Sequence, residues 1–160
     1  MTLPVSGQIN MSQVNVELGR SANAPISLGD SAVRTLAGVA SGSIDLNALH
    51  GKSNYTPLTV TKYDDTDRSY DSVTSGGTAY SYPSVSVSGG SGGYTYTWSF
   101  TSNPQSTALA NANNYMCTVS KNYAKSATGS YSAILQCVVQ DNTGHSVTVT
   151  NVNAGADWTS

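Results

Sequence analysis

The chain has 160 residues, a formal net charge of −2 and only 10% charged residues, so it carries neither the basic footprint of a nucleic-acid binder nor an acidic tail. That length accommodates one ordinary domain plus an appendage and excludes two full-sized domains. Ser, Thr, Asn, Gly and Tyr dominate, with 10 Tyr against a single Phe, a composition suited to half-exposed strands kept soluble by hydroxyls and amides.

The opening residues, Met1 to Gly7, contain no basic start and no apolar run, and no segment reaches the ~20 apolar residues of a membrane span. The expectation is a protein made in a cytoplasm, with no export signal and no membrane partner. In such a compartment Cys117 and Cys137 are as compatible with free thiols as with a bridge.

The first 51 residues repeat one capped, glycine-terminated phrase: Ile9-Asn10-Met11 to Gly19, Ile26-Ser27-Leu28 to Gly38, and Ile44-Asp45-Leu46 to Gly51. In the first, Asn10 is the N-cap with Gln13 three residues on, and Ile9 and Val14 form a hydrophobic staple. In the second, Ser27 caps with Asp30 as its partner, Leu28, Val33 and Leu36 form the apolar stripe, and Gly38 ends the helix. In the third, Asp45 caps, Ile44 and Leu49 staple, and Gly51 stops a helix or 3₁₀ turn of barely more than one turn.

Three helices this short bury too little to offset their conformational entropy alone. The missing burial comes from padding the following domain or from docking onto another protein or copies of itself. The side chains shared between a small helical core and a partner surface are Ile9, Met11, Val14, Leu18, Ile26, Leu28, Val33, Leu36, Ile44, Leu46 and Leu49.

Beyond Gly51 the period changes to two. Leu58 and Val60 share one parity behind Pro57, as in a short strand, and Asp64-Asp65-Thr66-Asp67 with Ser75-Gly76-Gly77 reads as a loop or edge. Val85 and Val87 alternate with serines until Gly89 to Gly93 breaks the run. Tyr94, Tyr96, Trp98 and Phe100 then occupy one face of the clearest strand, either as core or as an exposed row that stacks on sugars. Further strands are expected at residues 115–120, 131–140 and 146–152, with Asp141-Asn142-Thr143-Gly144 as the last turn.

The spacing predicts a mainly β protein: an immunoglobulin-like β-sandwich at 55–160, with 55–79 as linker or first strand, preceded by short α-helices at 1–54. Trp98, Tyr96, Val85 and Leu135 are expected in its core. Cys117 and Cys137 share the inward parity, so they either face each other as a disulfide, which the chain-entropy model values at roughly 3 kcal/mol, or stand as two buried thiols.

No catalytic or cofactor site is legible. His50 and His145 lack any nucleophile or metal pattern. The aspartates at 64, 65, 67 and 71 lack the glycine and distal glutamate of a calcium loop. Gly51-Lys52-Ser53 copies the tail of a phosphate-binding loop but has Leu46 where that motif needs glycine. Receptor contacts, if any, are expected from loops such as 103–114.

Two stretches carry resemblances. The run from Val87 through Gly89-Gly90-Ser91-Gly92-Gly93 to Trp98, with Cys137 to Gly144, resembles immunoglobulin-like and PKD-like domains of bacterial surface and bacteriophage proteins. The N-terminal stretch, with Ser6-Gly7-Gln8-Ile9, Val14 to Gly19, Ile26-Ser27-Leu28, Ala32-Val33-Arg34, Leu36-Ala37-Gly38 and His50-Gly51-Lys52-Ser53, resembles a module at the front of bacteriophage virion proteins. The resemblance implies a structural virion protein whose partners are other virion proteins, assembled as a homo-oligomer for which a trimer suits phage appendages, with a host surface as a further partner. Its expected place is the virion, as a tail or fibre part or a capsid decoration protein.

Overall fold

A computed structural model describes residues 2–71 and 75–160. The chain forms two compact units, Met1–Thr56 and Pro57–Ser160.

In the first unit, α1 (Met11–Glu17) opens on a complete capping box: Asn10 Oδ1 accepts the Gln13 N–H at 3.0 Å, and Gln13 Oε1 accepts the Asn10 N–H at 2.8 Å. The second helix, α2 (Ser31–Ala37), starts later than its phrase predicts. Ser27 Oγ accepts the Gly29 N–H and Asp30 accepts the Ser27 N–H, which closes a turn before the helix and leaves Asp30 at the N-cap with no side-chain bond to the helix it precedes. A short Ser hydroxyl satisfied two residues on favours the turn over the first helical turn. Gly38 ends α2 at φ +76°, a left-handed cap suited to glycine. A 3₁₀ turn (Leu46–Leu49) follows, with Asp45 accepting the Ala48 N–H.

Ile9, Val14, Val33, Leu36 and Leu49 are buried with Leu3 and Ala37 as this unit's core. The two ends of the unit clasp: Leu3 N–H donates to Lys52 O, Gly51 N–H donates to Pro4 O, and His50 Nδ1 lies 3.0 Å from Pro4 O. Pro4 O thus takes both the Gly51 N–H and the His50 ring.

The second unit comprises β1 (Thr59–Tyr63), β2 (Asp65–Asp71), β3 (Gly77–Ser81), β4 (Ser84–Ser88), β5 (Thr95–Ser102), β6 (Ala108–Ala110), β7 (Thr118–Tyr123), β8 (Gly129–Gln140) and β9 (Ser146–Thr159). The two larger sheets run β2-β9-β8-β5 and β3-β7-β6, and β1 and β4 form a two-stranded sheet. Tyr82-Pro83 interrupts the stretch of β3 and β4, because proline has no N–H for a ladder. The first stretch divides between layers: β1 pairs antiparallel with β4, and β2 pairs parallel with β9.

The fold is mainly β, an immunoglobulin-like sandwich preceded by short helices. Its core is fed by both sheets, with Ala79 and Val119 from one and Trp98, Leu135, Cys137, Val139 and Val152 from the other. Val85 is buried at 2% exposure and Leu135 completely, and Tyr96 is half-buried against them.

Several boundaries differ from the sequence reading. Of the two alternatives for residues 64–67, the structure takes the edge: Asp64 lies between strands and Asp65 opens β2, an edge strand held by β9 that keeps its charges. The stretch 55–79 holds β1, β2 and the start of β3, and its residues 72–74 lie outside the described residues. The expected loop 103–114 contains β6, an edge strand on β7, and Asn103 closes the turn before it by accepting the Thr107 N–H and donating to Thr107 O. Finally, β7 sits about one turn of the pleat later than expected, and β9 continues to Thr159.

Candidate functional site

The residues expected to serve docking divide by burial. Val14, Val33 and Leu49 are completely inside the first unit, and Ile9 and Leu36 nearly so, which assigns them to folding. Met11, Leu18, Ile26, Leu28, Ile44 and Leu46 are half-buried around that core. Met11, Leu28 and Leu46 hold the same place in the three phrases, and at that place each repeat leaves an apolar side chain partly open to solvent. Val5 is 81% exposed and Val16 is 41% exposed beside them in sequence. A shallow groove of about 560 Å³ runs along α2, lined by Arg34, Thr35, Gly38 and Val39. Arg34 is stapled there by bonds to Val39 O and Gly42 O.

Two buried polar side chains brace this unit. Asn15 donates to Ala22 O and Ala24 O, which fixes the loop after α1. Glu17 Oε1 accepts the Asn54 N–H at 2.7 Å and the Ser53 hydroxyl at 3.1 Å. Gly51, at φ +68°, stops the 3₁₀ turn, and no helix follows Ser53, so the Gly51-Lys52-Ser53 segment lacks the frame of a phosphate loop.

In the sandwich, Cys117 and Cys137 are free thiols with no exposed surface. Burial pushes Cys117 up to about 12 and Cys137 to about 11, so neither offers a nucleophilic thiolate. Trp98 is buried with its indole N–H on Asn114 O at 2.8 Å, and Tyr94, Tyr96 and Phe100 pack against the core. This row is core and presents no open platform.

Asp141 organises one end of the sandwich. Its carboxylate accepts the Ser91, Thr143 and His145 N–H groups and the Thr143 hydroxyl, at 2.8–3.1 Å. Burial alone raises a carboxyl pKa; here the Thr143 hydroxyl and the three N–H donors outweigh it and hold Asp141 at about 2. The glycine-rich turn from Gly89 thus links β4 in one sheet to β5 in another and is pinned by a carboxylate.

The aspartates at 64 and 65 are likewise engaged. Asp64 accepts the Asn153 N–H and carboxamide and the Lys62 ammonium. Asp65 accepts Arg68 Nε at 2.9 and 3.1 Å and the Tyr82 N–H at 2.6 Å. Among the described residues, no three His, Cys, Asp or Glu side chains gather to hold a metal, and no helix is long and apolar enough to cross a membrane.

The Asp65 clamp builds a feature that the sequence reading missed. The Arg68 guanidinium lies 5.1 Å from the centre of the Tyr82 ring, and that ring is nearly parallel to Tyr80, with centroids 6.2 Å apart. Tyr70 OH donates to Tyr80 O at 2.9 Å and secures the strand beneath. Tyr80 and Tyr82 share a parity, the one available signal, but nothing in the sequence places Arg68 over them.

No family model matches the chain, and no curated protein matches it. Among solved structures it is similar to one described as "Solution structure of the PKD domain from KIAA 1837 protein", at 19% identity over 62% of this chain and 87% of that chain, with a TM-score of 0.33.

Proposed function

We propose that the chain is a structural, non-enzymatic component of a bacteriophage particle. Its helical unit docks on other virion proteins and its sandwich is displayed outward, as a tail or fibre part or a capsid decoration protein. The observation that carries this reading is the repeated position Met11, Leu28 and Leu46: three related phrases make one unit, and each leaves an apolar side chain half-covered. A unit of this size gains most from burying those side chains against a partner.

The test is quantitative mass spectrometry of purified particles, with the copy number set against the major capsid protein. Comparable abundance assigns the chain to head decoration, and far lower abundance assigns it to the tail or a fibre. Absence discards the reading. Replacing Met11, Leu28 and Leu46 together by Ser is expected to empty the particles of the protein. Val33 and Leu36 are unsuitable for this test because they belong to the unit's own core.

Recognition of a host-surface glycan or protein by the sandwich is the second reading. The solvent-open Tyr80 ring, at 37% exposure, favours it.

A further inference from the structure

The outward face of the β3-β7-β6 sheet is unlike the rest of the sandwich. Ala79, Ser81 and Val119 point inward and are buried, so Thr78, Tyr80 and Ser120 point outward, as do Asn122, Ala108 and Ala110. Register puts Tyr80, Ser120 and Ala108 in one row across the three strands, and Thr78 beside Asn122, where the Thr78 hydroxyl donates to Asn122 Oδ1 at 2.8 Å. A depression of about 320 Å³ lies over Ser106, Ala108, Ser120 and Asn122, with Lys121 at its border. Lys121 has the inward parity and donates its ammonium to Gln105 O.

We infer that this face binds a neutral oligosaccharide, with Tyr80 as the stacking ring and Ser120 and Asn122 as the polar groups of the floor. The inference rests on the surface-recognition reading and is independent of assembly into a particle.

Four properties select this ligand. The outward positions of the row hold no charge, and the Lys121 ammonium that lines the depression is already engaged with Gln105 O, so the row itself offers no charged partner to an anion or a cation. The floor offers hydroxyls and a carboxamide, which both donate and accept and so match sugar hydroxyls. Ser120 and Ala108 keep the row beside Tyr80 low, and three strands at about 4.8 Å spacing make that row roughly 10 Å wide.

The fourth property is preorganisation. Asp65 holds both Arg68 and the Tyr82 backbone, Arg68 covers Tyr82, and Tyr82 backs Tyr80, so the last ring of the stack is fixed before any ligand arrives. The negative face of an aromatic ring attracts the polarised C–H groups of a pyranose. A second copy of the chain fits the face less well, because Ala108, Ala110 and Ser120 offer too little apolar area for a stable dimer core.

The test is binding of the labelled full-length protein to an array carrying neutral hexose and N-acetylhexosamine oligosaccharides beside sialylated and uronate-containing ones. Signals are expected on neutral glycans only. Tyr80→Ala is expected to weaken them by roughly tenfold, Ala108→Glu to abolish them, and Tyr80→Phe to retain them, with urea midpoints measured for all three. Binding confined to acidic glycans, or binding unaffected by Ala108→Glu, overturns the inference. An array without signal also overturns it, and binding of the same protein to intact bacterial cells then shows whether surface recognition survives through a protein receptor. Concentration-dependent self-association lost in Ala108→Glu would instead identify the face as an interface between copies.

Discussion

The carboxylate of Asp141, on the turn after β8, accepts the backbone N–H of Ser91, on the turn after β4, at 3.1 Å. One side chain therefore joins two loops that are distant in sequence, and it does so only while ionised. Its ordinary value of 3.8 falls to about 2 in the folded chain, so the stabilisation is complete above the ordinary value and is lost as pH falls from about 4 towards 2. We expect Asp141→Asn to lower the melting temperature at pH 7 and to flatten its fall between pH 4 and 2. Parallel pH profiles for the two proteins in that window would falsify this assignment.

Cys117 and Cys137 are expected to be silent towards thiol reagents in the native state. Burial raises both well above neutral pH and leaves no exposed sulfur. Titration with a chromogenic disulfide reagent at pH 8 should find no reactive thiol in buffer and both in guanidinium. Rapid native labelling, or an intact mass lower by two hydrogens, would contradict the buried dithiol.

The Tyr131 hydroxyl bridges the sandwich from β8, donating to Val119 O on β7 at 2.9 Å and lying 3.1 Å from Ser81 Oγ on β3. Tyr131→Phe keeps the packing and strands these partners in the core. The expected loss is about 1–3 kcal/mol in urea unfolding, with no change in slope. A loss near zero would show that the two sheets do not depend on this contact.

The sandwich was legible where burial imposes a strict alternation. In β5 the aromatics fall on one parity and hydroxyls on the other, and in β8 Ala133, Leu135, Cys137 and Val139 do the same, because each strand has one face in the core. Edges lack that signature. The charges of β2 left loop and edge undivided because an edge strand is selected against pairing rather than for burial, and its partner lies at the far end of the chain. The second half of β9 was hidden by Asn151, Asn153 and Gly155, although Val152, Ala154, Ala156 and Trp158 continue the buried parity. A Cβ at Gly155 would lie 3.1 Å from Tyr131 O, so a larger residue there would require the facing strand to give by a few tenths of an ångström. The tyrosine stack was illegible for another reason: Arg68 on β2 reaches Tyr82, just beyond β3, because strands of two different sheets lie side by side there, which no local pattern encodes.

Val33 and Leu28 belong to the same phrase but should respond differently to substitution. Val33 has no exposed surface in the helical unit, whereas Leu28 is half-buried. Val33→Asp places a carboxylate among apolar side chains with no partner, which costs several kcal/mol, more than so small a core can supply. Leu28→Ser removes only part of a contact and should cost about 1 kcal/mol. The two units can be followed separately, because Trp98 and Trp158 both lie in the sandwich and the α-helices lie in the first unit. We expect Val33→Asp to remove the helical circular dichroism at 222 nm while the tryptophan fluorescence transition stays in place, and Leu28→Ser to keep both signals. If the tryptophan transition moved with the helical signal, the units would fold as one cooperative body, and docking variants would have to be confined to Met11, Leu28 and Leu46.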